Sequence, residues 1–176
     1  MLPSEDSSGT VLFQLPLQGG AIPFIVLSDF GKYVHWALSH LNDSAYLDFG
    51  VATEHATGKD IATAFTAHTG RPARYIDIPV ETWNEAAWAD LPKNQDTKIG
   101  FRSVRDETQL TLSYGENFTN WWNLYRASAE NKGLIRRDYA FLDNILPDRV
   151  RSAAEWMENV DYIGDRVPLL KDLMAE

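Results

Sequence analysis

The stretch YLDFGVATEHATGKDIATAFTAHTGRPARYIDIP, residues 46–79, decides the fold class. Its first part, 46–53, predicts a strand, and ARYIDIP at 73–79 predicts a second strand from its alternating apolar residues. A helix is expected between them, because Thr57 and Asp60 have the spacing of a capping pair and a glycine follows the last apolar position. The order strand, helix, strand is typical of a parallel α/β sheet.

The preceding stretch, VLFQLPLQGGAIPFIVL at residues 11–27, contains two apolar runs around Gly19-Gly20. Two glycines permit the positive φ angles of a tight turn, so a β-hairpin is predicted. Pro16 and Pro23 confine it to the sheet edge, because proline cannot donate a ladder hydrogen bond. Residues 29–41 then predict an amphipathic helix. Its apolar stripe consists of Phe30, Val34, Leu38 and Leu41.

From Val80 onward the pattern becomes mainly helical. The predicted helices are 81–90, 117–130, 138–145, 152–160 and 167–174, and Ser152-Ala-Ala-Glu155 has the sequence of a capping box. The predicted fold class is therefore α/β, with a small, mainly parallel, partial Rossmann-like sheet, an edge hairpin and a helical C-terminal half. We expect one domain over residues 10–176, divided into 10–80 and 81–176. The polar residues 1–9 are predicted to be disordered.

The composition excludes several functional classes. The chain has 176 residues, of which 44% are hydrophobic, and this suits one packed domain. It has no cysteine, so disulfides, thiol catalysis and cysteine metal sites are excluded. A net charge of −9 disfavours nucleic acid as a partner. The opening MLPSEDSSG lacks signal-peptide features and no apolar run reaches membrane-spanning length, so a cytoplasmic location is expected. The basic pairs Arg136–Arg137 and Arg149/Arg151 are expected to be solvated surface.

Motifs for nucleotide, metal and serine chemistry are missing. G-x-G-x-x-G, the Tyr-x-x-x-Lys pair, H-E-x-x-H and G-x-S-x-G do not occur. Thr57-Gly58-Lys59-Asp60 resembles the end of a P-loop, but Asp60 stands where a magnesium-binding hydroxyl is required. His35 and His40 are five residues apart and do not share a helix face. We therefore expect no cofactor and no metal site.

The candidate site follows from topology, because ligands of open α/β sheets bind beyond the carboxyl ends of the strands. Three segments take that position in the predicted fold: Ser28-Asp29, Glu54-His55 and Pro79 to Trp83. His55 is the candidate catalytic residue, since imidazole moves protons near neutral pH, and Glu54 is the candidate to orient it. Asp29 is a candidate ligand-binding residue. The simpler alternative is that Glu54 and His55 are loop residues that cap the next helix, and that Asp29 only contributes to helix-end electrostatics.

An aromatic stripe supplies the remaining candidates. Phe118, Trp121, Trp122 and Tyr125 have the spacing of one helix face. As a functional feature, Trp121, Trp122 and Tyr125 would wall an apolar pocket together with Trp83. Tyr33 and Trp36 would line a cleft, with core packing as the alternative for both. As a structural feature, the stripe is the buried face of a helix, which is the more usual role of such a pattern.

Several segments, in order, resemble the C-terminal, substrate-side part of the NmrA-like family, especially its fungal members. The matching segments are SDFGKYV (28–34), ATEHATGKDIATAF (52–65), TGRPARYIDIPV (69–80), NFTNWWNLY (117–125), NKGLIRRDY (131–139) and ILPDRV (145–150). Family members are atypical short-chain dehydrogenase/reductase proteins whose N-terminal half carries a Gly-rich NAD(P) fingerprint. The resemblance implies a substrate-side half without that fingerprint, so no nucleotide-binding residue is carried over.

Three functions are consistent with this resemblance. The first is a cofactor-independent isomerase or cyclase of secondary metabolism that uses His55 for proton transfer in an apolar cavity. The second is a non-catalytic binding or regulatory protein, and the third is the substrate half of a split NAD(P)H-dependent reductase. In each case we expect a small apolar organic ligand. A truncated sheet would expose a strand edge and an apolar face, which predicts a homodimer or a partner protein that covers them.

Overall fold

The computed structural model describes residues 3–87, 95–99 and 112–165. The fold is α/β with a helical C-terminal half, as predicted. One sheet contains β1 (Ser4–Glu5), β2 (Val11–Leu15) and β5 (Ala73–Asp77) in the order β1-β2-β5. A second, two-stranded sheet contains β3 (Ile22–Phe24) and β4 (Glu54–Ala56). Among the described strands only β2 and β5 pair in parallel, so the sheets are mixed rather than mainly parallel as predicted. Both sheets are small, so the helices cover much of the core.

Except for a short helix at Leu41–Ser44, which was not predicted, the helices of the described ranges follow the predicted positions with small shifts at their ends. They are α1 (Leu27–Ser39), α2 (Leu41–Ser44), α3 (Gly58–Thr69), α4 (Val80–Ala87), α5 (Tyr114–Arg126), α6 (Tyr139–Ile145) and α7 (Ala153–Val160), with a 3-10 turn at Ala129–Asn131. The predicted helix 167–174 and the end of helix 81–90 lie outside the described residues. Within those ranges, every helix is too short or too polar to cross a membrane.

The core forms where α3 packs on the parallel pair β2 and β5. Val11 of β2 lies opposite Ala73 of β5, and Leu15 lies opposite Asp77. The Phe65 ring of α3 is fully buried and meets the Phe13 ring edge-on, with ring centroids 5.5 Å apart. α3 begins with the predicted capping box, in which the side chain of each partner accepts a hydrogen bond from the other's backbone N–H.

The strands on either side of the predicted Gly19-Gly20 turn, β2 and β3, do not pair with each other. The turn itself forms, with φ of 52° at Gln18 and 91° at Gly19, and the Gly20 N–H donates to the Leu17 carbonyl over 2.7 Å. However, β2 and β3 belong to different sheets, because β1 and β5 already occupy both edges of β2. The antiparallel edge hairpin is instead formed by β1 and β2.

Two other segments differ from the sequence-based expectation. Residues 46–53 contain no strand, and the strand β4 begins only at Glu54. At Tyr46 the backbone has a φ of 69°, which turns the chain rather than extending it. The segment expected to be disordered includes β1, and the turn after it is held by Asp6, whose carboxylate accepts hydrogen bonds from the backbone of Ser8 and Thr10.

Candidate functional site

Strand β4 holds the two candidate catalytic residues. Glu54 pairs with Phe24 of β3, and His55 pairs with Pro23. Successive side chains of a strand point to opposite faces, so the two side chains leave the strand in opposite directions. Their hydrogen-bond partners lie in different segments, which separates their roles. Glu54 therefore does not orient His55 as the sequence suggested.

Both ring nitrogens of His55 have partners within the protein. Nε2 lies 3.0 Å from the Ile135 carbonyl oxygen, and Nδ1 lies 2.7 Å from the Tyr139 hydroxyl. Because a carbonyl can only accept, the neutral ring carries its proton on Nε2 and accepts the Tyr139 hydroxyl at Nδ1. Burial lowers the pKa of His55 below 6.5 despite the bond to Ile135, and the charge of Arg137 lowers it further. The imidazole is therefore a neutral link between β4 and the segment before α6.

Glu54 caps the N-terminus of α7. Its Oε1 accepts a hydrogen bond from the Ala153 N–H, the first residue of that helix. A carboxylate at this position interacts favourably with the positive end of the helix dipole. Burial nevertheless raises the pKa of Glu54 above 4.5. Glu54 thus caps a helix, as in the simpler alternative, but the helix is α7 and not the next helix, α3, which Thr57 caps.

Arg149 lies at the centre of this region, although sequence analysis placed it on the solvated surface. Its side chain is only 4% exposed. Nε donates to Asp143 Oδ1 over 2.8 Å, and Nη1 donates to the Thr53 carbonyl over 2.7 Å. The guanidinium carbon lies 5.3 Å from the centre of the Tyr139 ring, in cation–π contact. Arg149 thus joins β4, α6 and the segment before α7.

Asp29 and Tyr33 of α1 face the same region. Asp29 is 1% exposed, and its Oδ2 accepts a hydrogen bond from the Val150 N–H over 2.8 Å. Lys32 Nζ lies 3.0 Å from the other carboxylate oxygen. Tyr33 is 2% exposed, and its hydroxyl has no hydrogen-bond partner among the described residues. Burial raises the pKa of Tyr33, while the charge of Arg149 opposes this change.

These residues form one polar cluster around residues 149–153, which consists of the buried Asp29, Tyr33 and Arg149 and the partly buried Glu54, His55 and Tyr139. Four of them, Asp29, Tyr33, Glu54 and His55, were predicted as site residues from the sequence. The structure links these four through Tyr139 and residues 149–153 rather than by direct contact with one another. Burial raises the pKa of Tyr139 to about 12, so its hydroxyl remains a donor at neutral pH. Most of the cluster's polar atoms are hydrogen bonded within the protein, so the cluster links α1, β4, α6 and the start of α7.

The predicted aromatic residues lie apart from this cluster. Trp122 is 6% exposed and belongs to the core, with the Trp83 ring 5.2 Å away and the Tyr125 ring 5.9 Å away. Trp83 and Tyr125 are partly buried against the same core. Trp121 points outward and is 50% exposed. The stripe is therefore mainly the packing face of α5, which was the structural interpretation of its spacing.

An open groove lies between α1, α2 and α6, and Trp36 is the residue in it that the sequence analysis predicted to line a cleft. Its volume is about 520 Å³. We call it the aromatic groove, and its lining residues are Trp36, His40, Asp43, Leu47, Phe141, Asn144 and Ile145. The Trp36 ring meets the Phe141 ring edge-on at 6.0 Å, and His40 stacks on Trp36 at 5.3 Å with an interplanar angle of 17°. Phe49 supports both Trp36 and Phe141 from 6.1 and 5.3 Å.

Polar atoms stand beside these rings. His40 Nδ1 lies 3.0 Å from the Trp36 carbonyl, so the neutral ring donates from Nδ1 and leaves Nε2 as an acceptor. In the described part of the chain, that Nε2 has no hydrogen-bond partner. Asp43 and Asn144 also line the groove. The groove thus combines aromatic faces with several hydrogen-bond acceptors.

A second, smaller groove of about 360 Å³ lies at the carboxyl ends of β2 and β5, where the topological argument placed Pro79 to Trp83. Gln18, Asp77 and Arg126 line it, but they bond mainly to the protein itself. Asp77 Oδ1 accepts from the Gln18 N–H and the Tyr75 hydroxyl, and Arg126 Nε donates to the Pro16 carbonyl. Its polar groups are therefore largely occupied.

Metal ligation finds no support in the described ranges, where no group of three or more His, Asp or Glu side chains converges. No protein-family model and no curated protein matches the chain.

Proposed function

We propose that this chain is a small-molecule-binding module of NmrA-like type that acts without NAD(P) and binds its ligand in the aromatic groove. The observation that carries the proposal is the arrangement around Trp36, where aromatic rings from three separate segments meet beside hydrogen-bond acceptors. Ligand sites in proteins are typically concave, mainly apolar and supplied with a few polar groups that orient the ligand. The volume of about 520 Å³ suits a molecule of one to three rings.

The polar atoms of the groove indicate which ligand it favours. His40 Nε2 and the Asp43 carboxylate accept hydrogen bonds, so the ligand should donate from a hydroxyl or an amino group. Trp36 and Phe141 offer ring edges and faces to a flat apolar body. A phosphate-bearing ligand is disfavoured, because Asp43 carries a negative charge and none of the described lining residues is a Lys or Arg. The ligand class is thus a small, flat, mainly apolar molecule with at least one donor group.

A catalytic version of this proposal would use His40 rather than His55. Both nitrogens of His55 are occupied and it does not line the groove, whereas His40 does so with Nε2 open. A cofactor-independent isomerase or cyclase needs such a titratable group next to its substrate. A His40→Gln variant that binds the ligand normally but no longer converts it would favour this version over simple binding.

The binding proposal is tested with 2-naphthol as a probe, because it is flat and fluorescent and has one hydroxyl donor. Calorimetry on the full chain should show saturable binding that weakens for naphthalene, which lacks the donor. Trp36→Ala should weaken 2-naphthol binding at least about tenfold, which corresponds to the loss of one aromatic contact. The matched control is Trp121→Ala, which removes a half-exposed indole outside the groove and should leave binding unchanged.

Two results would contradict the proposal. One is wild-type protein that shows no saturable binding of 2-naphthol at millimolar concentration. The other is a folded Trp36→Ala variant that binds the probe as the wild type does. NADPH serves as the competing ligand, and tight binding of NADPH to the chain alone would contradict the proposal that it acts without NAD(P).

A further inference from the structure

Helix α1 presents its apolar stripe to solvent. The stripe consists of Leu27, Phe30, Val34, Leu38 and the neighbouring Leu41, and these residues are 68%, 48%, 45%, 68% and 64% exposed. The opposite face of the helix, with Asp29 and Tyr33, is the buried one. An amphipathic helix normally buries its apolar face. The orientation of α1 therefore leaves an apolar surface that no described segment of this chain covers.

The stripe is continuous and carries no charge. At 100° per residue, the four stripe members in α1 and Gly31 fall within about 100° of the helix circumference, and the charged side chains Asp29 and Lys32 fall on the other side. Leu41 begins α2 and extends the exposed apolar surface beyond the end of α1. Ser28 and His35 lie exposed at its margin, and neither is an acidic or basic side chain of the Asp, Glu, Lys or Arg type. On a chain with a net charge of −9, a charge-free face is where two copies meet without repulsion.

Gly31 supplies an independent observation. A Cβ placed on this residue would meet nothing within 4 Å, so packing inside the chain does not require glycine here. Glycine inside a helix nevertheless disfavours the helix relative to alanine. A glycine next to an exposed apolar stripe allows the backbone of a second helix to approach closely. Position 31 is thus suited to a helix–helix contact with another molecule.

We infer that the α1 stripe is the interface of a homodimer, in which α1 of one copy packs against α1 of a second copy about a two-fold axis. The same patch then serves both copies, as in most symmetric dimers. The five side chains expose on the order of 500 Å², near the upper limit for a patch on a monomer. A standard interface buries roughly 800 Å² per partner, so the stripe supplies its apolar centre and the polar residues beside it supply the rim.

The edge of β5 is a weaker choice for this contact. In the described ranges β5 pairs only with β2, but its exposed residues include Arg74 and Asp77. Charged side chains on an edge strand oppose pairing with another chain. The α1 stripe contains no charged side chain that would oppose such a contact.

The test is sedimentation equilibrium of the full chain over a concentration series up to roughly 100 µM, at which a standard-size interface of moderate affinity is occupied. Wild type should sediment with twice the monomer mass. Leu38→Glu should raise the dimer dissociation constant about 100-fold or more, because it buries a carboxylate in an apolar interface. Leu134→Glu is the matched control, since Leu134 is 75% exposed and lies outside the stripe. It should leave the dissociation constant unchanged.

The Gly31→Ala variant distinguishes an effect on the dimer interface from an effect on the stability of the fold. The change should raise the dissociation constant at least about tenfold, while thermal unfolding of the monomer stays the same or moves to higher temperature. Wild type that remains monomeric over the whole series would overturn the inference. So would a dimer that persists in Leu38→Glu, because self-association would then use another surface such as the β5 edge.

Discussion

Replacing Arg149 with methionine tests whether the polar cluster around residues 149–153 holds the two halves of the chain together. Methionine keeps the length and apolar stem of the side chain but removes the guanidinium. The substitution breaks the bonds to Asp143 at 2.8 Å and to the Thr53 carbonyl at 2.7 Å, and it removes the cation over the Tyr139 ring. Thr53 is 3% exposed, so its carbonyl would lose its partner where water has little access.

The expected loss in the free energy of unfolding follows from the surroundings of each residue that Arg149 contacts. Asp143 is 41% exposed and keeps Arg151 at 3.3 Å, so its carboxylate stays solvated and paired. The loss is therefore smaller than the 3–5 kcal/mol that is typical when a fully buried ion pair is broken. An unpaired buried carbonyl costs about 1–3 kcal/mol, and loss of the cation–π contact adds about 0.5–1 kcal/mol. We expect the free energy of unfolding to fall by about 2–3 kcal/mol.

Urea denaturation followed by circular dichroism measures this change. With a slope of about 1–3 kcal/mol per molar urea, the midpoint should fall by roughly 1–2 M. Arg151→Met is the matched control, because Arg151 is 50% exposed and its loss should change the free energy of unfolding by about 0.5 kcal/mol or less. Equal midpoint shifts for the two variants would refute the argument that burial makes Arg149 structurally important.

Two further predictions concern His55 and Gly133. Because burial lowers the pKa of His55 below 6.5, the unfolded chain binds the proton more readily, and wild-type stability should fall as the pH drops through 6.5 toward the folded pKa. His55→Gln should show a shallower fall in melting temperature over this window, and equal slopes would contradict the assignment. A Cβ on Gly133 would lie 1.6 Å from the Ala127 carbonyl oxygen, so Gly133→Ala should lower the free energy of unfolding by about 2–4 kcal/mol. Gly70→Ala, at a φ of 70° with open space around it, should cost only about 1 kcal/mol in the same melts, and a smaller loss at Gly133 than at Gly70 would contradict the steric argument.

Local signals in the sequence predicted the elements they govern. The Thr57 capping box and Gly70 placed both ends of α3, and the alternation at 73–77 placed β5. Such signals act within a few residues, so they are visible without tertiary information. The β2–β3 pairing was wrong because the identity of a strand's neighbours depends on the rest of the sheet. Residues 46–53 have the apolar content of a strand, but Tyr46 at a positive φ turns the chain.

The candidate site was predicted only in part for the same reason. Asp29, Tyr33, Glu54 and His55 are linked through residues 149–153 and Tyr139. The argument from strand ends does not hold for Glu54 and His55, because they belong to β4 itself. The importance of Arg149 was missed because its Asp143 and Thr53 partners give the sequence no local signature at position 149. The rest of the aromatic groove was missed because Trp36 and Phe141 are over a hundred positions apart, and no spacing rule relates them.

The location of a bound ligand tests the binding proposal most directly. In a ¹⁵N-labelled sample, each of the six tryptophans contributes one indole N–H resonance, and single substitutions assign them. Titration with 2-naphthol should shift the Trp36 resonance in a saturable way and leave those of Trp83 and Trp122 in place. Shifts confined to Trp83 and Trp122, or an unchanged Trp36 resonance at saturating probe, would show that the aromatic groove is not the binding site.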